Sequence, residues 1–149
     1  MQREWFLKNE QATLDLGKRL SQLMSPIGMI YLQGELGAGK TTFVRGFLRG
    51  SGFTDKVKSP TYTLLEPYQI GNRYIYHVDL YRLKNPTELN DLGFRDYFDL
   101  GVFLVEWPEQ GGRYLIPPDL TFIFAHQDEG RKITGIAGHE SGSTILNQL

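Results

Sequence analysis

The chain has 149 residues, a net charge of −1 and no cysteine. The length suits one domain with a proper core, and the near-neutral charge argues against disorder and against a domain that grips RNA or DNA alone. Disulfides and thiolate metal sites are excluded, no stretch has the length of a membrane span, and Met1–Trp5 lacks the apolar run of a signal peptide, so a soluble cytoplasmic protein with no membrane partner is the expectation.

Trp5-Phe6-Leu7 reads as a short first strand. Glu10 to Leu23 reads as a helix, with Leu16, Leu20 and Leu23 at helical spacing and Ser25-Pro26 as its stop. Met29-Ile30-Tyr31-Leu32 is apolar and β-prone. A second helix from about Gly39 carries Phe43, Phe47 and Leu48 on one stripe and ends at Gly50-Ser51-Gly52. Thr61 to Tyr68 reads as extended, and Gly71-Asn72 turns it into the strand Tyr74–Val78, giving a hairpin.

Glu88 to Phe98 has a loosely amphipathic helical pattern that Gly93 weakens. Val102-Phe103-Leu104-Val105 is a continuous apolar run, as a fully buried parallel strand requires. After Pro117-Pro118, Leu120–Phe124 and Lys132–Ile136 read as late strands joined by the polar stretch Gln127–Gly130. No repeat or linker divides residues 1–149, so a single α/β domain is expected, with parallel central strands and antiparallel additions.

The segment between the second strand and the second helix is the most telling. Gly34-Glu35-Leu36-Gly37-Ala38-Gly39-Lys40-Thr41 matches G-x-x-x-x-G-K-[ST]. Its glycines let backbone N–H groups curl around nucleotide phosphates without side-chain clash. Lys40 supplies a mobile cation, and Thr41 a hydroxyl where Mg²⁺ needs an oxygen ligand. The following helix aims its positive end at the same anion. Strand, glycine-rich loop and helix form the required setting.

A nucleotide loop needs a second acid near the metal. Glu106 directly follows the buried run Val102–Val105, which delivers it to the carboxyl edge of the sheet, where ligands bind. Its neighbour Trp107 has the size to stack on a ligand or close a pocket. Asp79 ends the strand before Leu80-Tyr81-Arg82 and is a candidate to bind Mg²⁺ through water or to orient an attacking water. His77 and Arg82 flank it as candidates to sense phosphate charge. The competing readings are a solvated strand-end charge for Glu106, a packed histidine for His77 and a local ion pair for Arg82.

Ser59-Pro60-Thr61-Tyr62-Thr63 lies where many phosphate-loop proteins keep a segment that orders around the γ-phosphate; an ordinary turn with hydroxyl caps is the alternative. Lys56 and Lys58 read as a solvated face. The tyrosines Tyr62, Tyr68, Tyr74, Tyr76 and Tyr81 read as cross-strand packing rather than a base-stacking platform.

The phosphate loop Gly34–Thr42, then Ser59–Leu64, then His77–Leu83, then Val105-Glu106-Trp107-Pro108-Glu109 occur in that order and spacing. In these linked motifs, within about residues 3–125, the chain resembles the bacterial TsaE family; the tail after Ala125 carries no motif. The resemblance implies a P-loop NTPase-like three-layer fold and a weakly hydrolysing, Mg²⁺-dependent ATPase that binds ATP or ADP. It also implies a role in making threonylcarbamoyladenosine beside the tRNA anticodon, with TsaD and TsaB as partners, and TsaD performing the transfer. Contact with tRNA would then be indirect, as the charge balance suggests, and no DNA partner is expected.

Carried onto this chain, the resemblance gives Gly37, Ala38, Gly39, Lys40, Thr41 and Thr42 the phosphates, and Thr41 with Glu106 the Mg²⁺. Lys40, Asp79 and Glu106 become the catalytic set, with Asp79 near the metal and attacking water. Ser59, Pro60, Thr61 and Tyr62 form one switch segment, His77 to Arg82 the other, and Glu10 borders the adenine. The rivals are a small-molecule kinase, which needs an acceptor pocket and usually an arginine-bearing lid, and a non-hydrolytic nucleotide-gated interaction module.

Overall fold

The computed structural model describes residues 1–149. Strand β1 (Gln2–Leu7) leads to helix α1 (Glu10–Leu23), β2 (Gly28–Gly34) and α2 (Lys40–Gly50). The hairpin β3 (Leu65–Ile70) and β4 (Arg73–Asp79) follows, then α3 (Thr87–Asp91), β5 (Val102–Glu106), β6 (Leu120–Gln127), β7 (Gly130–Ala137) and α4 (Glu140–Gln148). All strands join one seven-stranded sheet in the order β1-β7-β6-β2-β5-β4-β3. β4, β5, β2 and β6 pair in parallel, while β3, β7 and β1 add antiparallel at the flanks.

Alternation along the strands builds two cores, one on each side of the sheet. On one side Ile30, Leu32, Val102, Leu104 and Phe122 meet Leu16 and Leu20 of α1 and Phe43, Val44 and Phe47 of α2. On the other, Met29, Tyr76, Val78, Phe103 and Val105 meet Leu89 of α3 and Phe94 and Phe98 beyond it. Burying Phe43 and Phe47 completely contributes about 1.5–3 kcal/mol each. Sheet and flanking layers are the three-layer α/β arrangement that the family resemblance implies.

Helices α1 and α2 pack backbone to backbone. A methyl group on Gly46 would lie 2.1 Å from the Leu14 carbonyl oxygen, and one on Gly17 would lie 2.2 Å from that of Phe43. Asn9 caps α1 by accepting the Ala12 N–H at 2.9 Å. These contacts hold the start of α1 beside the start of α2, where the phosphate loop ends.

Several expected boundaries move. Thr61–Tyr68 is not wholly extended: Leu64 donates its N–H to the Pro60 carbonyl at 2.8 Å and adopts φ 70, so the strand begins only at Leu65. Glu88–Phe98 is not one helix. Gly93 adopts φ 73 and divides α3 from a 3-10 turn at Phe94–Tyr97. Helix α4 was not anticipated. Tyr68 and Tyr76 are buried in packing, with the Tyr76 and Phe103 rings stacked at 4.7 Å, whereas Tyr62 is exposed.

Candidate functional site

The parallel registers bring the acids to the loop. Leu32 of β2 lies opposite Glu106 of β5, and Glu106 lies opposite Asp79 of β4. Alternation places Ile75, His77 and Asp79, together with Val102, Leu104 and Glu106, on the α2 side of the sheet. The carboxyl ends of β2, β4 and β5 therefore meet the amino end of α2.

Between β2 and α2 the chain turns through Gly34 at φ 139, Gly37 at φ 75 and Gly39 at φ 106, conformations that suit glycine. The N–H groups of Gly39, Lys40, Thr41 and Thr42 have no acceptor within the chain, and α2 has no side-chain cap. Orphan donors at a helix start, backed by its dipole, make an anion site.

Lys40 is buried and donates to the Gly34 carbonyl, with its ammonium 3.8 Å from the centre of the Trp107 ring. Burial lowers its pKa from the ordinary lysine value, while Glu106, Asp79 and Glu109 pull it back up. Trp107 adopts φ 57, a strained region for a bulky residue, and its N–H donates to the Leu32 carbonyl at 3.3 Å. That backbone turn lets the ring cover Lys40. The lysine is sheltered rather than locked in an ion pair.

Thr41 Oγ1 donates to Glu106 Oε2 at 3.1 Å, and Oε1 lies 3.4 Å away. The same Oε2 of the buried Glu106 meets His77, whose Nε2 lies 2.6 Å away. His77 is fully buried, and its Nδ1 has no partner. The tautomer with its proton on Nε2 leaves only a lone pair unpaired there, which costs less than an orphan N–H. His77 is thus hydrogen-bonded to Glu106 through one ring nitrogen.

Asp79 is partly buried and accepts the Tyr81 N–H at 3.0 Å. Burial raises its pKa above the ordinary carboxylate value; Glu106 also raises it, against the Tyr81 N–H, His77 and Lys40. No three His, Asp or Glu side chains converge as a metal cage. The hydroxyl of Thr41 beside the carboxylate of Glu106 still fits Mg²⁺, which draws most of its ligands from phosphate oxygens and water.

The two expected switch segments touch each other at their exposed ends. The Arg82 guanidinium carbon lies 4.7 Å from the centre of the Tyr62 ring. Ser59 and Thr61 share a hydroxyl bond of 2.7 Å, and Pro60 is buried. None of Ser59, Thr61, Tyr62 or Arg82 hydrogen-bonds to Lys40, Thr41, Asp79 or Glu106.

Glu10 is exposed at the start of α1 and pairs with Arg45 at 2.5 Å. It rims a cavity of about 180 Å³ that Asn9, Thr13, Gly39, Glu129 and Arg131 also line. The sequence reading missed Arg131. It donates to the carbonyls of both Gly37 and Ala38, each at 3.1 Å. Only a cation opening a late strand signalled it, and most such residues face solvent.

Comparison with known proteins gives the family. The family model described as "Threonylcarbamoyl adenosine biosynthesis protein TsaE" matches residues 7–133. The chain is 41% identical to the tRNA threonylcarbamoyladenosine biosynthesis protein TsaE of Haemophilus influenzae, over 95% of this chain and 94% of that protein. It is 42% identical to the Bacillus subtilis protein of the same name, over 89% of this chain and 84% of the relative. A crystal structure of Bacillus subtilis YdiB superposes with a TM-score of 0.85 at 31% identity, covering 99% of this chain and 93% of that one. The chain belongs to the TsaE family.

Proposed function

We propose that this chain is a single-domain ATPase that binds Mg·ATP in the bend between β2 and α2 and hydrolyses it slowly. The hydrolysis serves threonylcarbamoyl modification of the adenosine beside the tRNA anticodon; the names of its relatives give tRNA threonylcarbamoyladenosine biosynthesis. One observation carries the reading: orphan N–H groups, a sheltered lysine and a threonine–glutamate pair meet at the carboxyl ends of parallel strands.

In this reading the N–H groups of Gly39 to Thr42 receive phosphate oxygens, and Lys40 leaves the Gly34 carbonyl for the terminal phosphates. Thr41 and Glu106 hold the Mg²⁺, with His77 fixing the Glu106 carboxylate. The bound ion supplies neutralisation of phosphate charge. Asp79 orients a water and takes its proton as the water oxygen bonds to the γ-phosphorus; the bond to the bridging oxygen breaks, and ADP and inorganic phosphate leave. Its burial makes it a better proton acceptor than a free carboxylate. Ser59–Tyr62 and His77–Arg82 act as switch segments, joined at their tips by Arg82 on Tyr62. Glu10 sits on the rim where the base would lie.

The partners are TsaD and TsaB proteins in the cytoplasm, with tRNA engaged through them. The net charge of −1 supports indirect contact with tRNA. ATP turnover measured with and without that partner complex and tRNA tests the whole reading. Slow turnover alone and an altered rate in the complex are expected. Transfer of labelled phosphate to an acceptor would favour the kinase, and full support of modification by a hydrolysis-dead variant would favour the module. Lys40→Ala should abolish nucleotide binding or hydrolysis, and unchanged turnover in it refutes the assignment.

A further inference from the structure

Arg131 stands at the start of β7, opposite Leu7 of β1 and opposite His126 of β6. Ladders on both sides fix its backbone, and a methyl group on neighbouring Gly130 would lie 2.4 Å from the Leu7 carbonyl oxygen. From this base its guanidinium spends its donors on backbone alone. Nε reaches the Ala38 carbonyl at 3.1 Å, one terminal nitrogen the Gly37 carbonyl at 3.1 Å and the other the Gly130 carbonyl at 3.0 Å. No carboxylate pairs with it.

A trans peptide unit points its C=O and its N–H in opposite directions. Holding the Gly37 carbonyl turns the Ala38 N–H inward, where it closes the loop on the Glu35 carbonyl at 3.2 Å. Holding the Ala38 carbonyl turns the orphan Gly39 N–H away from Arg131. Gly37 and Gly39, both at positive φ, have wide conformational freedom, and nothing in their own side chains selects this shape. A planar fork spanning two successive carbonyls does select it.

We propose that Arg131 is a positioning residue that presets the phosphate-binding backbone before nucleotide arrives. The inference rests on reading the bend as the nucleotide site. It assigns to the segment after Ala125 a part in nucleotide affinity that acts through main chain rather than through contact with the γ-phosphate.

The test measures ADP and ATP binding by calorimetry with Mg²⁺ for the parent protein, Arg131→Ala and Arg131→Lys, with thermal unfolding recorded without nucleotide. In Arg131→Ala both affinities should fall by about tenfold, the scale of one lost charge-assisted hydrogen bond. The KM for ATP should rise while kcat changes by less than about twofold. Arg131→Lys keeps the charge but cannot span two carbonyls, so most of the loss should remain. Arg131→Lys also carries the test if the alanine variant does not fold. Parent-like affinity in the variants, full rescue by lysine, or a loss confined to ATP would each overturn the proposal. Failure of the parent to bind either nucleotide would instead bring down the nucleotide reading itself.

Discussion

Oε2 of Glu106 is bonded by both the Thr41 hydroxyl and the buried His77 ring, so its carboxylate has little freedom to wander. Glu106→Ala should therefore weaken Mg²⁺ dependence and hydrolysis more than ADP binding; superimposable Mg²⁺ titrations of variant and parent would count against it. Asp79 is sensitive to pH through its burial. Its pKa is raised in the folded chain above the ordinary 3.8, so the folded state binds more protons than the unfolded state between those two values. Stability falls as pH rises through that window, because an ionised, partly buried carboxylate is penalised. Asp79→Asn keeps an oxygen for the Tyr81 N–H and removes the charge. Without nucleotide or magnesium it should melt above the parent at pH 7, with the gap closing as pH falls toward 3.8, while hydrolysis drops. A variant melting below the parent at pH 7 contradicts the burial argument. The placement of the loop and of Glu106 beside Thr41 was legible in the sequence because it depends on contiguous chain or on strand alternation. Arg131 was not, because it grips carbonyls contributed from 93 and 94 residues away, and carbonyls carry no sequence signature.

Helices α1 and α2 cross so closely that glycine is the only residue their contact admits at Gly17 and Gly46. The close crossing keeps the Asn9 end of α1 against Gly39, and with it the wall of the cavity beside the loop. Gly46→Ala places a methyl group 2.1 Å from the Leu14 carbonyl oxygen, so the helices must part. We expect a loss of about 1–3 kcal/mol in denaturant unfolding, the range for overpacking a tight core. Stability equal to the parent would mean that the helices shift without cost. The periodicity of α1 and α2 was readable because each buries a continuous apolar stripe. The break at Gly93 was foreshadowed only as a weakness, since glycine permits a left-handed turn without requiring one. Helix α4 went unread because Glu140-Ser141-Gly142-Ser143-Thr144 is a poor helix former; packing of Leu146 into the core supports it instead.

At the scale of the whole molecule, the sheet order converts separate motifs into one site. β2 sits between β5 and β6, and β5 between β2 and β4, so the phosphate loop, Glu106 and Asp79 emerge along one edge. The parallel centre was foreseeable from the buried run Val102–Val105 and from the strand–loop–helix unit. The pairing of β1 with β7, which joins Gln2 to Ile136, was not, because nothing local marks a partner so distant in the chain. Arg131 reaches the loop through β6, which pairs with β7 on one side and with β2 on the other. What occupies the bend decides the function, and a crystal structure with Mg²⁺ and a non-hydrolysable ATP analogue tests it most directly. We expect the triphosphate against the N–H groups of Gly39 to Thr42, the Lys40 ammonium moved from the Gly34 carbonyl onto phosphate, and the metal at Thr41 and Glu106. An empty bend at saturating analogue, with Lys40 still bonded to Gly34, would contradict it.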